Sequence, residues 1–220
     1  MVKFGCNNHL IRSVRRKVGV GQTSFIKMTR VYLAIAVEQA MNAEVKIRRA
    51  LISDAEACLT LYRPSVDQSA ISFEDAAPTL DEMAARIAKT SAQFPWLIAE
   101  DACGAVAGYA YASPHRDRAA YRWTCEVSIY VAKSHHRRGV ANALYSALLE
   151  FLGRQGYQSA LAGITLPNPE SVALHEKFGF KKIAVYQNIG FKNGEWRDVG
   201  WWQLQIGGFQ NPPQEPESLA

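Results

Sequence analysis

The motif Glu126-Val-Ser-Ile-Tyr-Val131, the turn His136-Arg-Arg-Gly-Val-Ala141 and the apolar-striped stretch after it constrain this chain most. Thr124–Val131 alternates in side-chain character as a strand does, with Cys125, Val127, Ile129 and Val131 on one face. Residues 140–155 instead place Val140, Leu144, Leu148 and Phe151 on one stripe, the period of a helix. A strand that enters a helix through a short basic turn leaves the first helical N–H groups without intrahelical partners. The helix dipole adds partial positive charge at the same place. That combination holds a pyrophosphate, and two arginines plus a glycine that admits close backbone approach strengthen it. Glu126, ten residues before His136, can act as a base. The unit points to an enzyme acting on a phosphorylated cofactor.

The rest of the chain supplies one α/β domain and no repeats. Residues 45–49 read as a strand, and Ser53 as the cap of a helix ending near Tyr62. A polar loop carrying Phe73 and Glu74 leads to a helix over about 79–90. Residues 96–100 and 105–112 form a hairpin turning at Cys103-Gly104. The charged, aromatic loop 115–122 precedes the Glu126 strand. A strand over 159–164 is followed by Asn168-Pro169, an N-cap with proline in the first turn, opening a helix that ends at Gly179. Two strands, about 182–190 and 197–206, close the domain. Residues 207–220 carry three prolines and read as a disordered tail.

Charge divides the chain unevenly. Residues 1–43 hold seven basic side chains against Glu38 alone, while the whole sequence carries a net +5, so residues 44–220 are near neutral. The body makes no case for nucleic acid, and no apolar run reaches the length of a membrane span. The basic segment 1–43 reads as an extension: a transit segment, or an over-long start with Met28 or Met41 as the first residue. Four scattered cysteines without a CxxC spacing suit a reducing, cytoplasmic setting. Adjacent His135 and His136 point in different directions and make a poor metal pair, so no metal is expected.

Several polar residues carry the chemistry. Glu126, Ser128 and Tyr130 share the face opposite Val127. His175 lies two helical turns after Asn168 and reads equally as a packed histidine or as a proton donor into a cleft. Arg118 and Tyr121 precede the Glu126 strand, and a guanidinium fork suits a carboxylate or phosphinate. Phe73 and Glu74 read as an opposite wall, an apolar lid beside an ammonium partner.

An ordered series of short motifs then resembles the GNAT acyltransferase superfamily, in its phosphinothricin N-acetyltransferase-like branch. The anchors are Phe94-Pro-Trp96, Ala107-Gly-Tyr-Ala110, Arg118-Ala-Ala-Tyr121, Trp123-Thr-Cys-Glu126, Leu166-Pro-Asn168, Leu174-His-Glu176 and Asp198-Val-Gly200. The resemblance covers about residues 45–206 and implies a GNAT fold, a mixed central sheet with helices on both faces, over residues 44–206. It implies acetyl-CoA as donor and a small amino-acid-like amine as acceptor, such as phosphinothricin, methionine sulfone or methionine sulfoximine. It further implies that Ile129, Tyr130 and Val131 meet pantetheine, that Arg137, Arg138, Gly139, Val140, Ala141 and Asn142 cradle the pyrophosphate, and that Asn168 contacts the cofactor near its thioester. Glu126 is then the base and His175 the acid, with Arg118, Tyr121 and Phe73 at the acceptor. Transfer is expected to be direct, and a homodimer is the expected assembly. His136 departs from the family's usual Gln or Arg at the head of the turn. Competing expectations are acetylation of a polyamine or protein N-terminus, or a catalytically silent CoA-binding module.

Overall fold

A computed structural model describes residues 45–209 and 211–217. The expectation for the basic segment 1–43 lies outside the described residues. Seven strands make one sheet: β1 (Val45–Arg49), β2 (Trp96–Asp101), β3 (Val106–Pro114), β4 (Thr124–Val131), β5 (Ser159–Leu166), β6 (Lys181–Lys192) and β7 (Glu195–Gln205). Their order is β1-β2-β3-β4-β5-β7-β6. All neighbours run antiparallel except β4 and β5. Helices α1 (Ala55–Asp67) and α2 (Leu80–Ser91) cover one face. Helix α3 (Val140–Arg154) covers the other, and α4 (Pro169–Lys177) follows β5.

Each face has its own core. Val140, Leu144 and Leu148 of the α3 stripe are fully buried, with Tyr145 and Leu152, against Leu97, Ala110, Cys125 and Val127 of the sheet. Phe151 is half-buried at its end. Burying side chains of this size contributes roughly 1.5–3 kcal/mol each. On the opposite face Cys58, Val66, Met83 and Ile87 meet Trp96, Ile98 and Tyr109. Helix α2 begins where expected: Thr79 accepts from the Glu82 N–H, and the Glu82 carboxylate accepts from the Thr79 N–H at 2.7 Å.

Three elements differ from the sequence reading. Ser53 does not cap α1; it lies within a short 3₁₀ turn, Ile52–Asp54, whose anchor is Asp54. The Asp54 carboxylate accepts from the Leu51 N–H at 2.7 Å and takes both terminal nitrogens of Arg48 at 2.7 Å. Helix α1 runs past Tyr62 through Pro64 to Asp67, because Val66 and Tyr62 are buried on one side and hold it. Pro64 brings no N–H for the Thr60 carbonyl. The tail also departs from the expectation of disorder: residues 214–217 lie against the body, where the Trp123 indole N–H donates to the Gln214 carbonyl at 2.6 Å.

The pairing of β4 with β5 positions everything that follows. It extends only over Thr124↔Ser159, Cys125↔Ala160 and Glu126↔Leu161, after which the strands part. Beyond Glu126, β4 keeps only its β3 neighbour.

Candidate active site

The gap between β4 and β5 opens into a cleft of about 890 Å³. Ile129, Tyr130 and Val131 form its floor. The Ala132 N–H bonds the Ala107 carbonyl at 2.9 Å, so in the antiparallel alternation Tyr130 directs its backbone toward β3. Ile129 and Val131 therefore point their N–H and C=O groups into the gap. The other wall comes from Thr60, Leu61, Pro64 and Gln68 of α1 and its end, with Ile71 beyond. Sequence reasoning missed that wall, since its residues form no motif.

At the cleft's mouth the chain turns from β4 into α3. Arg137 (φ 61°) and Gly139 (φ 82°) both take left-handed backbone, which curls the turn into a concavity of N–H groups. The first intrahelical bond of α3 is Ala143 N–H to Gly139 C=O at 3.0 Å, so the N–H groups of Val140, Ala141 and Asn142 precede it. Arg137, Gly139, Val140, Ala141 and Asn142 all line the cleft. The Lys177 ammonium adds a cation by donating to the Asn142 carboxamide oxygen at 3.2 Å. Arg138 instead lines a smaller cavity of about 430 Å³ with Asp101, Cys103 and His135. His136, the odd residue of the turn, has a place: its Nε2 lies 3.2 Å from the Val131 carbonyl, and donating there ties the turn back to β4. Gly139→Ala would put a side chain at a left-handed φ, at a strain of about 1–2 kcal/mol. The expected outcome is a KM for acetyl-CoA raised about tenfold, the equivalent of ~1.4 kcal/mol, with kcat at saturation within about twofold.

Glu126 sits where β4 and β5 stop pairing, three residues before Ile129, or ~10 Å along the strand. Its side chain is 32% exposed, and its carboxylate accepts from His115 Nδ1 at 2.8 Å. His115 meets Tyr121 edge-on at 5.6 Å and Trp201 edge-on at 6.0 Å, and Tyr186 lies 5.8 Å from Trp201. The Trp201 indole covers Gly163 of β5, where a Cβ would meet the ring at 3.2 Å. A carboxylate thus stands at the fork of two strands beneath an aromatic roof. His115, Trp201 and Tyr186 escaped the sequence reading; only a histidine directly after β3, near the Glu126 strand, could have signalled one of them.

The remaining predicted residues separate into two groups. Arg118 precedes and Tyr121 ends a 3₁₀ turn, Ala119–Tyr121; both are exposed, and Tyr121 joins the roof through His115. Phe73 lies over Gly190 of β6. Glu74 beside it takes two nitrogens of Arg86 at 2.7 and 3.0 Å and the Tyr62 hydroxyl at 2.9 Å. Asn168 lines the cleft and caps α4, accepting from the Ser171 N–H at 3.1 Å. His175 does not reach the cleft wall. It is 4% exposed, packed edge-on against Tyr145 and Phe180. Its Nδ1 lies 2.7 Å from the Ser171 carbonyl, which only accepts, so Nδ1 carries the proton and Nε2 accepts from the Tyr145 hydroxyl at 2.7 Å. Burial holds the imidazole below its ordinary pKa, against the opposing pull of the Ser171 carbonyl.

A forked sheet with a backbone-lined cleft and an N–H turn at its mouth defines an acyl-CoA-binding transferase. Residues 47–201 match the family of acetyltransferase (GNAT) domains. The chain is 38% identical to a phosphinothricin N-acetyltransferase of Streptomyces viridochromogenes over 159 residues, 72% of this chain and 86% of that protein. It is 32% identical to an L-methionine sulfoximine/L-methionine sulfone acetyltransferase of Salmonella typhimurium, over 73% of this chain and 94% of that one. A solved phosphinothricin acetyltransferase of Sinorhizobium meliloti, in complex with acetyl-CoA, superposes with a TM-score of 0.74 at 33% identity, covering 79% of this chain and 94% of that one. The chain belongs to the GNAT family and is an acetyl-CoA-dependent N-acetyltransferase. Its residues fit that co-substrate: strand backbone faces the gap, and helix N–H groups with Arg137 and Lys177 face the mouth.

Proposed function

We propose that the chain acetylates the amino group of a small amino acid of the phosphinothricin, methionine sulfone or methionine sulfoximine type. The observation that carries this reading is the Glu126 carboxylate at the fork of β4 and β5, paired with His115 and roofed by Tyr121 and Trp201. Acetyl-CoA supplies an activated acetyl thioester. An acceptor ammonium must lose a proton before its nitrogen can attack, and Glu126 takes it, directly or through a water. His115 holds the carboxylate in place from the acceptor side. The N–H groups of Ile129 and Val131 face the gap where negative charge builds on the carbonyl oxygen. As that carbonyl re-forms the C–S bond breaks, and the departing CoA sulfur takes the second proton released by the acceptor nitrogen. Asn168 and Ser171 line the gap's far side.

Direct transfer is supported by the thiols. Cys58 and Cys125 are fully buried, and burial pushes both thiols up, Cys58 to about 12, so neither supplies a thiolate to carry the acetyl group. Cys103 lies on the β2–β3 turn, away from the lining of the cleft. Arg118 and Tyr121 orient the acceptor's acidic group, and Phe73 covers it. In place of an acid, His175 serves as a buried anchor that keeps α4, and with it Asn168 and Ser171, against α3. The protein works as a cytoplasmic homodimer on this reading, supported by free Cys58, Cys103 and Cys125 and by exposed Ile183, Ile189, Phe191 and Trp196 along the edge hairpin.

Incubating the enzyme with acetyl-CoA and single amines, with a thiol reagent reporting released CoA, tests the acceptor. Phosphinothricin and methionine sulfone are expected to release CoA well above background, and spermidine to give none. Release with spermidine or a protein N-terminal peptide alone would overturn the acceptor class.

A further inference from the structure

The C-terminal tail returns to the body at the junction between the acceptor loop and β4. The Glu215 carboxylate accepts from Arg122 Nε and from a second Arg122 nitrogen, the latter at 2.6 Å. The remaining Arg122 nitrogen donates to the Ala119 carbonyl at 2.8 Å, inside the turn that Arg118 precedes and Tyr121 ends. One guanidinium therefore grips the turn and the tail together. It also lies over the Trp123 ring, 4.0 Å from its centre, while the Trp123 indole N–H donates to the Gln214 carbonyl. Two residues on, the tail is fixed a second time. The Glu217 N–H donates to the Gln155 carbonyl at 2.9 Å, and the Gln155 carboxamide donates back to the Glu217 carbonyl at 2.9 Å. Gln155 is 3% exposed and also holds the Gln93 carbonyl, so this anchor is rigid.

We propose that the tail is a latch that positions the acceptor loop, with Glu215 and Gln214 as positioning residues acting through Arg122 and Trp123. The loop that begins at His115 and ends at Trp123 is held at its start by the His115–Glu126 contact. At its far end the Trp123 carbonyl accepts from the Gln158 N–H at 2.8 Å, and between His115 and Arg122 the loop pairs with no strand. Without the tail, Arg122 is a solvent-facing cation, and the turn loses the fork that fixes its angle. The Tyr121 ring, which meets His115 edge-on, moves with that turn. The latch thus acts on acceptor binding and leaves the cleft mouth untouched. An exposed ion pair adds little to global stability, so its effect is local.

This inference rests on the reading that Arg118 and Tyr121 meet the acceptor. The test uses full-length chains carrying Glu215→Arg, Glu215→Asp and, separately, Arg118→Ala, with KM measured for both substrates. Glu215→Arg is expected to raise the acceptor KM about five- to tenfold, leave the acetyl-CoA KM within about twofold and shift Tm by less than about 3 °C. Glu215→Asp keeps the carboxylate and stays within about twofold of the parent. Raising NaCl to 0.5 M moves the parent's acceptor KM toward that of Glu215→Arg, because an exposed pair is screened. If Arg118→Ala raises the acceptor KM and Glu215→Arg does not, the latch is overturned alone. If Arg118→Ala also leaves it unchanged, the acceptor-loop reading falls with it. Equal losses in both KM values together with a large fall in Tm would mark Glu215 as merely structural and overturn the proposal.

Discussion

Glu126→Gln is expected to lower kcat by about two to three orders of magnitude, the usual contribution of a positioned base. The substitution keeps shape and keeps an oxygen for the His115 contact at 2.8 Å, so the roof over the fork stays closed. What it removes is the ability to hold a proton taken from the acceptor's ammonium. Acetyl-CoA affinity is expected to stay within about twofold, since the turn and the β4 floor proposed for the cofactor begin ~10 Å further along the strand. Steady-state turnover with a thiol reagent, set beside calorimetric titration of acetyl-CoA, separates the two effects. Unchanged turnover would remove Glu126 from the mechanism, and lost acetyl-CoA binding would mean that Glu126 holds the fork together instead.

Why Glu126, the proposed base, was legible as a candidate in the sequence while its surroundings were not follows from the range of the interactions. Glu126, the turn and α3 are contiguous, and their periodicities and glycine chemistry are local. Asn168 with Pro169 announces its helix for the same reason. The aromatic roof is assembled from three distant places: His115 after β3, Tyr186 on β6 and Trp201 on β7. No spacing rule relates them, because the pairing of β5 with β7, Gly163 opposite Trp201, brings them together. The α1 wall is hidden in another way. The sequence reading ends this helix near Tyr62, yet burial of Tyr62 and Val66 outweighs the hydrogen bond lost at Pro64 and carries the helix on beside the cleft. The tail was misread through composition: proline-rich and polar, it has no core of its own, but the body offers it an indole donor, a guanidinium fork and a buried carboxamide.

His175 is where local pattern and tertiary packing part most clearly, and His175→Leu is expected to act on stability before chemistry. The imidazole joins the Ser171 carbonyl to the Tyr145 hydroxyl, both inside the α3–α4 interface. An apolar replacement strands a fully buried hydroxyl, at roughly 1–3 kcal/mol, which lowers Tm by about 3–10 °C in a domain of this size. Tyr145→Phe in the same chain removes the stranded group, so the double variant is expected to recover part of that loss. The pH dependence has a definite sign. Burial keeps His175 neutral in the folded protein at pH values where the unfolded chain's histidine takes up a proton, near pH 6.5 and below. Its contribution is therefore complete above pH 6.5 and is lost as pH falls from there toward the depressed folded value. His175→Leu removes that part of the acid destabilisation, so its Tm deficit against the parent narrows between about pH 7 and pH 5. Thermal melts of the three chains across that range measure this directly. An anchor leaves kcat of the folded variant within about fivefold, whereas a proton donor to the departing sulfur would lose about a hundredfold at every pH. A loss of that size with an unchanged Tm would restore His175 to the reaction and require its ring to swing out of the α3–α4 interface during turnover.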